Sequence, residues 1–107
     1  MEELVVKLVR DGKVAVIVSG GFGAGWSTWN YDEPQMLYDP VIAEMLEQSK
    51  GESEIEKYCG EQYPNAYLGG LDGLYVAWLP EGTAFRIHEY DGSESVEIRD
   101  EVRWEIA

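Results

Sequence analysis

The sequence contains little of what disulfides, metal sites and membrane anchors require. Cys59 is the only cysteine and His88 the only histidine, so no internal disulfide can form and the two residues cannot complete a zinc site. The longest aliphatic run, residues 14–18, is about a quarter of the ~20 residues that cross a bilayer. The acidic start Met1-Glu2-Glu3 is unlike the basic start of a signal peptide. We therefore expect a cytoplasmic protein with no membrane partner, no metal and no cofactor.

Basic residues are also scarce. Eight lysines and arginines face 21 aspartates and glutamates, which gives a net charge of −13. Such a charge repels phosphate backbones, so direct nucleic-acid binding is not expected. It would attract a basic partner, including the nucleic-acid groove of another protein. The alternative is that the acidic surface only keeps the protein soluble.

The composition is that of a folded protein. The chain has 107 residues, 45% of them hydrophobic and 12% aromatic, which suits one domain over residues 1–107 with its own core. We find no linker, repeat or low-complexity tract.

The pattern of apolar residues predicts six strands and two helices. Residues 4–10 and 13–18 are β-branched runs separated by Asp11-Gly12, a pair that favours a type I′ hairpin. Asp39-Pro40 is typical of a helix start, and the spacing of Ser53 and Glu56 is that of a capping box for a second helix. Four further strands are predicted over residues 66–68, 74–79, 84–90 and 96–99 or beyond. The order ββααββββ favours an α+β domain with a mainly antiparallel sheet and two helices on one face.

The most unusual segment is a glycine-rich loop that follows the second strand directly. It reads Gly20-Gly21-Phe22-Gly23-Ala24-Gly25-Trp26-Ser27-Thr28-Trp29-Asn30. A P-loop would need lysine where Trp26 stands, and a dinucleotide fingerprint would need a third glycine at the same position. Neither an NTPase nor a nicotinamide enzyme is therefore indicated.

A more general interpretation is a nucleotide-like pocket. Glycine amides can form an anion-accepting nest, and Trp26 and Trp29 could stack on a base or sugar. The expected ligand-binding residues are Gly21, Phe22, Gly23, Ala24, Gly25, Trp26, Ser27, Thr28, Trp29 and Asn30, with Arg86 as a possible phosphate partner. The alternatives are that Phe22, Trp26 and Trp29 belong to the core, and that Arg86 pairs with a neighbouring carboxylate.

No catalytic constellation can be assembled from the remaining polar residues. Strand alternation places His88 on the exposed face beside Arg86, with no coupled serine or cysteine nucleophile. Cys59 reads as a small apolar residue on the buried side of the second helix. The acidic clusters lack the spacing of a calcium loop and are expected to be solvated. We therefore expect a protein that is not an enzyme.

The loop segment Gly21–Asn30, together with Leu79-Pro80-Glu81-Gly82-Thr83-Ala84-Phe85-Arg86-Ile87 and Glu89-Tyr90-Asp91-Gly92, resembles a group of short, mostly phage-encoded proteins of uncharacterised function. This resemblance implies an antagonist of host defence or host enzymes. Two mechanisms fit: sequestering a small nucleotide-like ligand through the loop, which we rank first, or imitating nucleic acid in the basic groove of a host protein. A homo-oligomer is a further expectation, because two subunits enclose a ligand more fully than one.

Overall fold

The computed structural model describes residues 5–21, 25–90 and 93–98. In these ranges the chain forms five strands and two α-helices, which are β1 (Val9–Arg10), β2 (Lys13–Ser19), α1 (Pro40–Glu47), α2 (Glu52–Gln62), β3 (Leu74–Pro80), β4 (Phe85–Tyr90) and β5 (Ser93–Ile98). Short 3-10 helices occupy Ser27–Trp29, Pro34–Leu37 and Leu71–Gly73. No described helix is long and apolar enough to cross a bilayer.

The strands form two antiparallel sheets. One has the order β1-β2-β3, and the other is the hairpin of β4 and β5. The first turn follows its sequence prediction, because Asp11 and Gly12 have φ values of 53° and 75°. Positive φ at both central residues defines the type I′ turn, whose twist suits the strands it joins.

Strand β2 is the centre of the fold because both of its faces are covered. Ala15 and Ile17 pack with the helices, while Val16 and Val18 pack against the β4–β5 hairpin. The molecule therefore has three layers: two helices, a three-stranded sheet and a hairpin. The α+β class, the antiparallel pairing and the placement of both helices on one face are confirmed.

Helix α1 begins as predicted, whereas α2 begins earlier than expected. The Asp39 carboxylate accepts the amides of Val41 at 2.9 Å and Ile42 at 3.3 Å, with Pro40 in the first turn. The capping box at Ser53 is wrong, because α2 starts at Glu52 with Gly51 as its N-cap. Acidic Glu52 and Glu54 occupy its first turn, where the helix dipole favours negative charge.

The strand predicted over residues 66–68 is absent from the described chain. There the Asn30 side chain takes the place of a strand partner for Tyr67: its amide donates to the Tyr67 carbonyl at 2.9 Å and its oxygen accepts the Tyr67 amide at 2.7 Å. The described order is consequently ββααβββ.

The Gln35 side chain bonds to the Val6 backbone in a similar way: its amide donates to the Val6 carbonyl at 2.6 Å, and its oxygen accepts the Val6 amide at 2.8 Å. The first strand, predicted over residues 4–10, is observed at Val9–Arg10. Leu4 and the end of the last predicted strand from Arg99 onward lie outside the described residues.

Candidate functional site

The glycine-rich loop leaves β2 at Gly20 and returns to the core at Gly25. Gly20 donates its amide to the Gly73 carbonyl at 2.9 Å, and a Cβ on Gly73 would stand 2.5 Å from the Gly21 nitrogen. The two backbones therefore touch here, which only glycine permits. Of the predicted ligand-binding residues, Phe22, Gly23 and Ala24 lie outside the described residues.

A carboxylate of the protein itself binds backbone amides on both sides of the glycine run. Glu94, which is 2% exposed, accepts the Ser19 amide at 3.0 Å through Oε1 and the amides of Trp26 and Thr28 at 2.7 and 3.1 Å through Oε2. The Thr28 hydroxyl also donates to Oε2. The donors to this carboxylate, which comes from β5, are not glycines: Ser19 ends β2, and Trp26 and Thr28 follow Gly25. The predicted nest of glycine amides includes residues 22–24, which lie outside the described residues.

The expectation that Glu94 is solvated with the other acidic clusters is wrong, and it arises because the last predicted strand begins at Val96 and leaves Glu94 outside it. With the strand starting at Ser93, alternation places Glu94 on the same face as Val96 and Ile98. Those two residues pack on the core between the sheets. A carboxylate at an inward position of an amphipathic strand was the signal that could have revealed it.

Trp26 belongs to the core, which was the alternative to its role as a ligand platform. Its side chain is fully buried, and its indole nitrogen donates to the Met36 carbonyl at 2.7 Å. Ile17, Met36 and Ile42 share the same buried cluster. Its ring therefore has no free face for a base in this structure.

Gly25 lets the loop fold tightly onto the residues that follow it. A Cβ there would lie 2.6 Å from both Thr28 Oγ1 and Trp29 Cδ1, closer than real Cβ atoms come. Ser27 begins the 3-10 helix, and its carbonyl accepts the Asn30 amide at 3.1 Å. The contacts of Gly25, Thr28 and Asn30 all serve to fix this turn.

Trp29 is an aromatic residue of the described loop that lies on the surface. It is 40% exposed and lies beside Tyr67, which is 50% exposed. Their ring centres are 5.3 Å apart with the planes tilted by 32°. The buried Asn30 joins the backbone around Trp29 to that of Tyr67, because its side chain bonds to the Tyr67 backbone and also donates to the Trp26 carbonyl at 2.8 Å. The result is a fixed, exposed aromatic pair.

Arg86 is not brought to the loop. Its side chain is 79% exposed, and its Nε lies 2.5 Å from an oxygen of Glu97 on the facing strand. In the register of the hairpin, Arg86 pairs with Glu97 and Glu89 pairs with Glu94, which places Arg86 about 10 Å along the strand from Glu94. The alternative interpretation, a pair with a carboxylate, describes its observed contact.

His88 points outward as predicted: its side chain is 56% exposed, and its Nδ1 lies 3.8 Å from Glu97. Within the described ranges, no group of three or more histidine, cysteine or acidic side chains is arranged to hold a metal ion.

A cleft of about 240 Å³ opens between the three-stranded sheet and the hairpin. Its lining includes Val16, Leu79, Thr83 and Phe85, so it contains part of the Pro-Glu-Gly-Thr-Ala-Phe segment singled out in the sequence. Phe85 meets Tyr38 edge-on at 6.5 Å.

Lys7 stands at this cleft with its ammonium 4.7 Å from the centre of the Tyr38 ring. It makes no ion pair with any residue of the described chain. Burial raises the pKa of the Tyr38 hydroxyl. The cleft thus combines aromatic walls with one cation in an otherwise acidic protein.

A second buried carboxylate, Asp39, organises the helical layer. Besides capping α1, it accepts the hydroxyls of Tyr58 at 2.9 Å and Tyr63 at 2.5 Å. Burial and these bonds to Asp39 raise the pKa of both tyrosines. Burial, with the Asp39 charge nearby, raises the pKa of Cys59 to about 12. A thiol that stays protonated is a poor nucleophile, which agrees with its interpretation as a core residue.

Carboxylates dominate the described surface. The exposed ones are Asp11, Asp32, Glu44, Glu47, Glu52, Glu54, Glu56, Glu61, Glu81 and Glu89. Six of these ten lie on α1 and α2, which carry one exposed lysine between them, Lys57. The helical layer therefore has a strongly acidic outer face.

The chain has no match among protein-family models, curated proteins or solved structures. Its resemblance to phage-encoded proteins stays a prediction, and the site is interpreted from its geometry.

Proposed function

We propose that this protein is a non-enzymatic antagonist whose acidic helical layer occupies the nucleic-acid groove of a basic partner protein. The observation that supports this proposal is the concentration of exposed carboxylates on α1 and α2, six against the single lysine Lys57. A positively charged groove attracts a negatively charged surface, and this attraction speeds their association.

The salt bridges of the helical layer leave four of the six carboxylates without an ion pair in the described chain. Glu47 pairs with Arg10 at 2.6 Å and Glu54 with Lys50 at 3.9 Å. Both pairs are partly exposed, and such pairs exchange readily for other partners because they contribute about 1 kcal/mol or less. A basic groove can therefore engage these carboxylates as it would a row of phosphates.

The contacts of the glycine-rich loop favour this mechanism over ligand capture by the loop. The amides of Ser19, Trp26 and Thr28 already bind Glu94, and Trp26 is fully buried. A phosphate entering there would have to displace a carboxylate and open the core. The acidic surface needs no rearrangement to act.

The resemblance to short phage-encoded proteins supplies the biological setting. In that setting the protein acts in the cytoplasm of an infected host, and its target is a host defence protein or enzyme that binds DNA or RNA. Repulsion between its own charge and phosphates keeps it from binding nucleic acid itself.

A second candidate function is the sequestration of a small nucleotide-like anion, and the cleft at Lys7 favours it. The cleft offers the aromatic rings of Tyr38 and Phe85 and a cation without an ion pair in the described chain. Its volume of about 240 Å³ is below the usual range for drug-sized ligands, so it suits a ligand of one ring. A homo-oligomer that enlarges the cleft belongs to this candidate.

The test compares two variants with the same change in charge. One carries Glu52→Gln, Glu56→Gln and Glu61→Gln on α2, and the control carries Asp11→Asn, Asp32→Asn and Glu81→Gln outside the helices. Each is immobilised, exposed to lysate of defence-active bacteria, and eluted with a short DNA duplex or with salt.

The proposal expects the parent protein to retain a DNA- or RNA-binding protein that the duplex elutes and that rising salt releases steeply. The α2 variant should not retain this partner, whereas the control variant should. Equal retention by both variants, or no protein that the duplex displaces, would contradict it. Native mass spectrometry of protein purified from the same cells tests the second candidate. A bound small molecule that Lys7→Ala protein lacks would support ligand capture instead.

A further inference from the structure

The exposed pair of Trp29 and Tyr67 is held in place by several hydrogen bonds and by close packing. Asn30 bonds to the Tyr67 backbone in both directions and to the Trp26 carbonyl, while Thr28 is tied to Glu94. Gly25 provides the space under the Trp29 ring. Buried and partly buried polar contacts of this kind fix an arrangement because each unmade bond would cost free energy.

Exposed tryptophan and tyrosine on a rigid turn are the residues that most often dominate binding energy at protein interfaces. Trp29 is 40% and Tyr67 50% exposed, and Tyr31, two residues beyond Trp29, is 89% exposed. Rigid rings lose little conformational entropy on binding. The turn therefore presents a preorganised aromatic surface.

Charge decides which ligand group suits these rings. The face of an aromatic ring attracts cations, and the exposed carboxylate of Asp32 lies three residues after Trp29. The net charge of −13 adds attraction for a cation and repulsion for a phosphate. A guanidinium group, which is planar and weakly hydrated, stacks on aromatic rings better than an ammonium group does.

We propose that the Trp29–Tyr67 pair binds an arginine side chain of the basic partner. This inference rests on the proposed function, since it names the group of the partner that the protein recognises. The acidic helices supply attraction over the whole surface, and the aromatic pair supplies a preference for arginine over lysine at one point of the interface.

The probes are two peptides of equal length and charge, nona-arginine and nona-lysine, titrated against the full chain at low salt by isothermal calorimetry. General attraction binds both. Stacking on the pair should make nona-arginine bind about 2- to 5-fold more tightly, the effect of one exposed cation–π contact. Trp29→Leu and, separately, Tyr67→Leu should remove that difference while leaving nona-lysine binding unchanged.

The matched control is Tyr90→Leu, because Tyr90 is 71% exposed and lies on β4, outside the segment 25–30 that carries Trp29. Circular dichroism shows whether each variant is folded, and either variant of the pair suffices if the other is not. An arginine preference that survives in both variants, or tighter binding of a mononucleotide than of nona-arginine, would overturn this inference alone. If neither peptide binds at low salt, the acidic-surface function itself is wrong.

Discussion

Oε2 of Glu94 lies 2.7 Å from the backbone nitrogen of Trp26, which stands 68 residues earlier in the chain. The bond joins the last described strand to the loop that follows β2. The same carboxylate binds Ser19 at the end of β2, so one buried anion connects the three-stranded sheet, the loop and the hairpin. The hydrogen-bond partners described for this carboxylate are three backbone amides and one hydroxyl, all of them donors. Hydrogen bonds to an ionised acceptor are stronger than those between neutral groups.

Glu94→Gln should lower the free energy of unfolding by about 2–4 kcal/mol, because the variant loses the charge and turns an amide NH₂ toward backbone donors. Urea unfolding followed by circular dichroism measures the loss. The matched control is Glu81→Gln, which changes the charge equally at an exposed turn and should stay within about 0.5 kcal/mol. Similar stabilities of the two variants would show that the loop does not depend on Glu94.

Gly25→Ala should destabilise the protein by about 1–3 kcal/mol, since its Cβ would lie 2.6 Å from Thr28 Oγ1 and Trp29 Cδ1 and the turn would have to open. Gly60→Ala is the opposite case. Gly60 lies in α2 with nothing within 4 Å of an added Cβ, so the change should raise stability by about 0.5–1 kcal/mol. Thermal unfolding of both variants tests the prediction, which fails if both midpoints move in the same direction.

Local rules of sequence predicted most of the fold and little of the site. The Asp11-Gly12 turn, the Asp39 cap and the period of each strand depend on neighbouring residues, so they could be identified without a structure. The Glu94 bonds and the Asn30 bridge to Tyr67 join residues 37 to 75 positions apart. No spacing rule relates such residues. In two places where a strand was predicted, the backbone bonds to a side-chain amide instead: Tyr67 to Asn30 and Val6 to Gln35.

Replacing the two tryptophans of the loop should have different effects on stability. Trp26→Ala removes a fully buried ring and leaves the Met36 carbonyl without its donor, so it should cost about 3–5 kcal/mol. Trp29→Ala acts on a residue that is 40% exposed, and its cost should be less than half as large. Urea midpoints of both variants provide the measurement. A larger loss of stability in Trp29→Ala than in Trp26→Ala would contradict the assignment of Trp26 to the core.

The Asp39 cluster predicts a loss of stability in alkali. Burial raises the pKa of Cys59 from 9.0 to about 12 and also raises that of Tyr58 and Tyr63 above 10.0, with Asp39 adding to each shift. All three groups are neutral when protonated, and the unfolded chain releases their protons at lower pH than the folded chain does. The free energy of unfolding should therefore be constant up to about pH 9 and fall as the pH rises further.

Urea unfolding at pH 8, 9.5 and 10.5 measures this fall, which for Cys59 is at most about 1.4 kcal/mol per pH unit. Cys59→Ala and Tyr63→Phe each remove one group that titrates differently in the two states. Both variants should lose less stability between pH 8 and pH 10.5 than the parent does, even if they are less stable at pH 8. An unchanged pH dependence in both would mean that the cluster opens to solvent before it titrates.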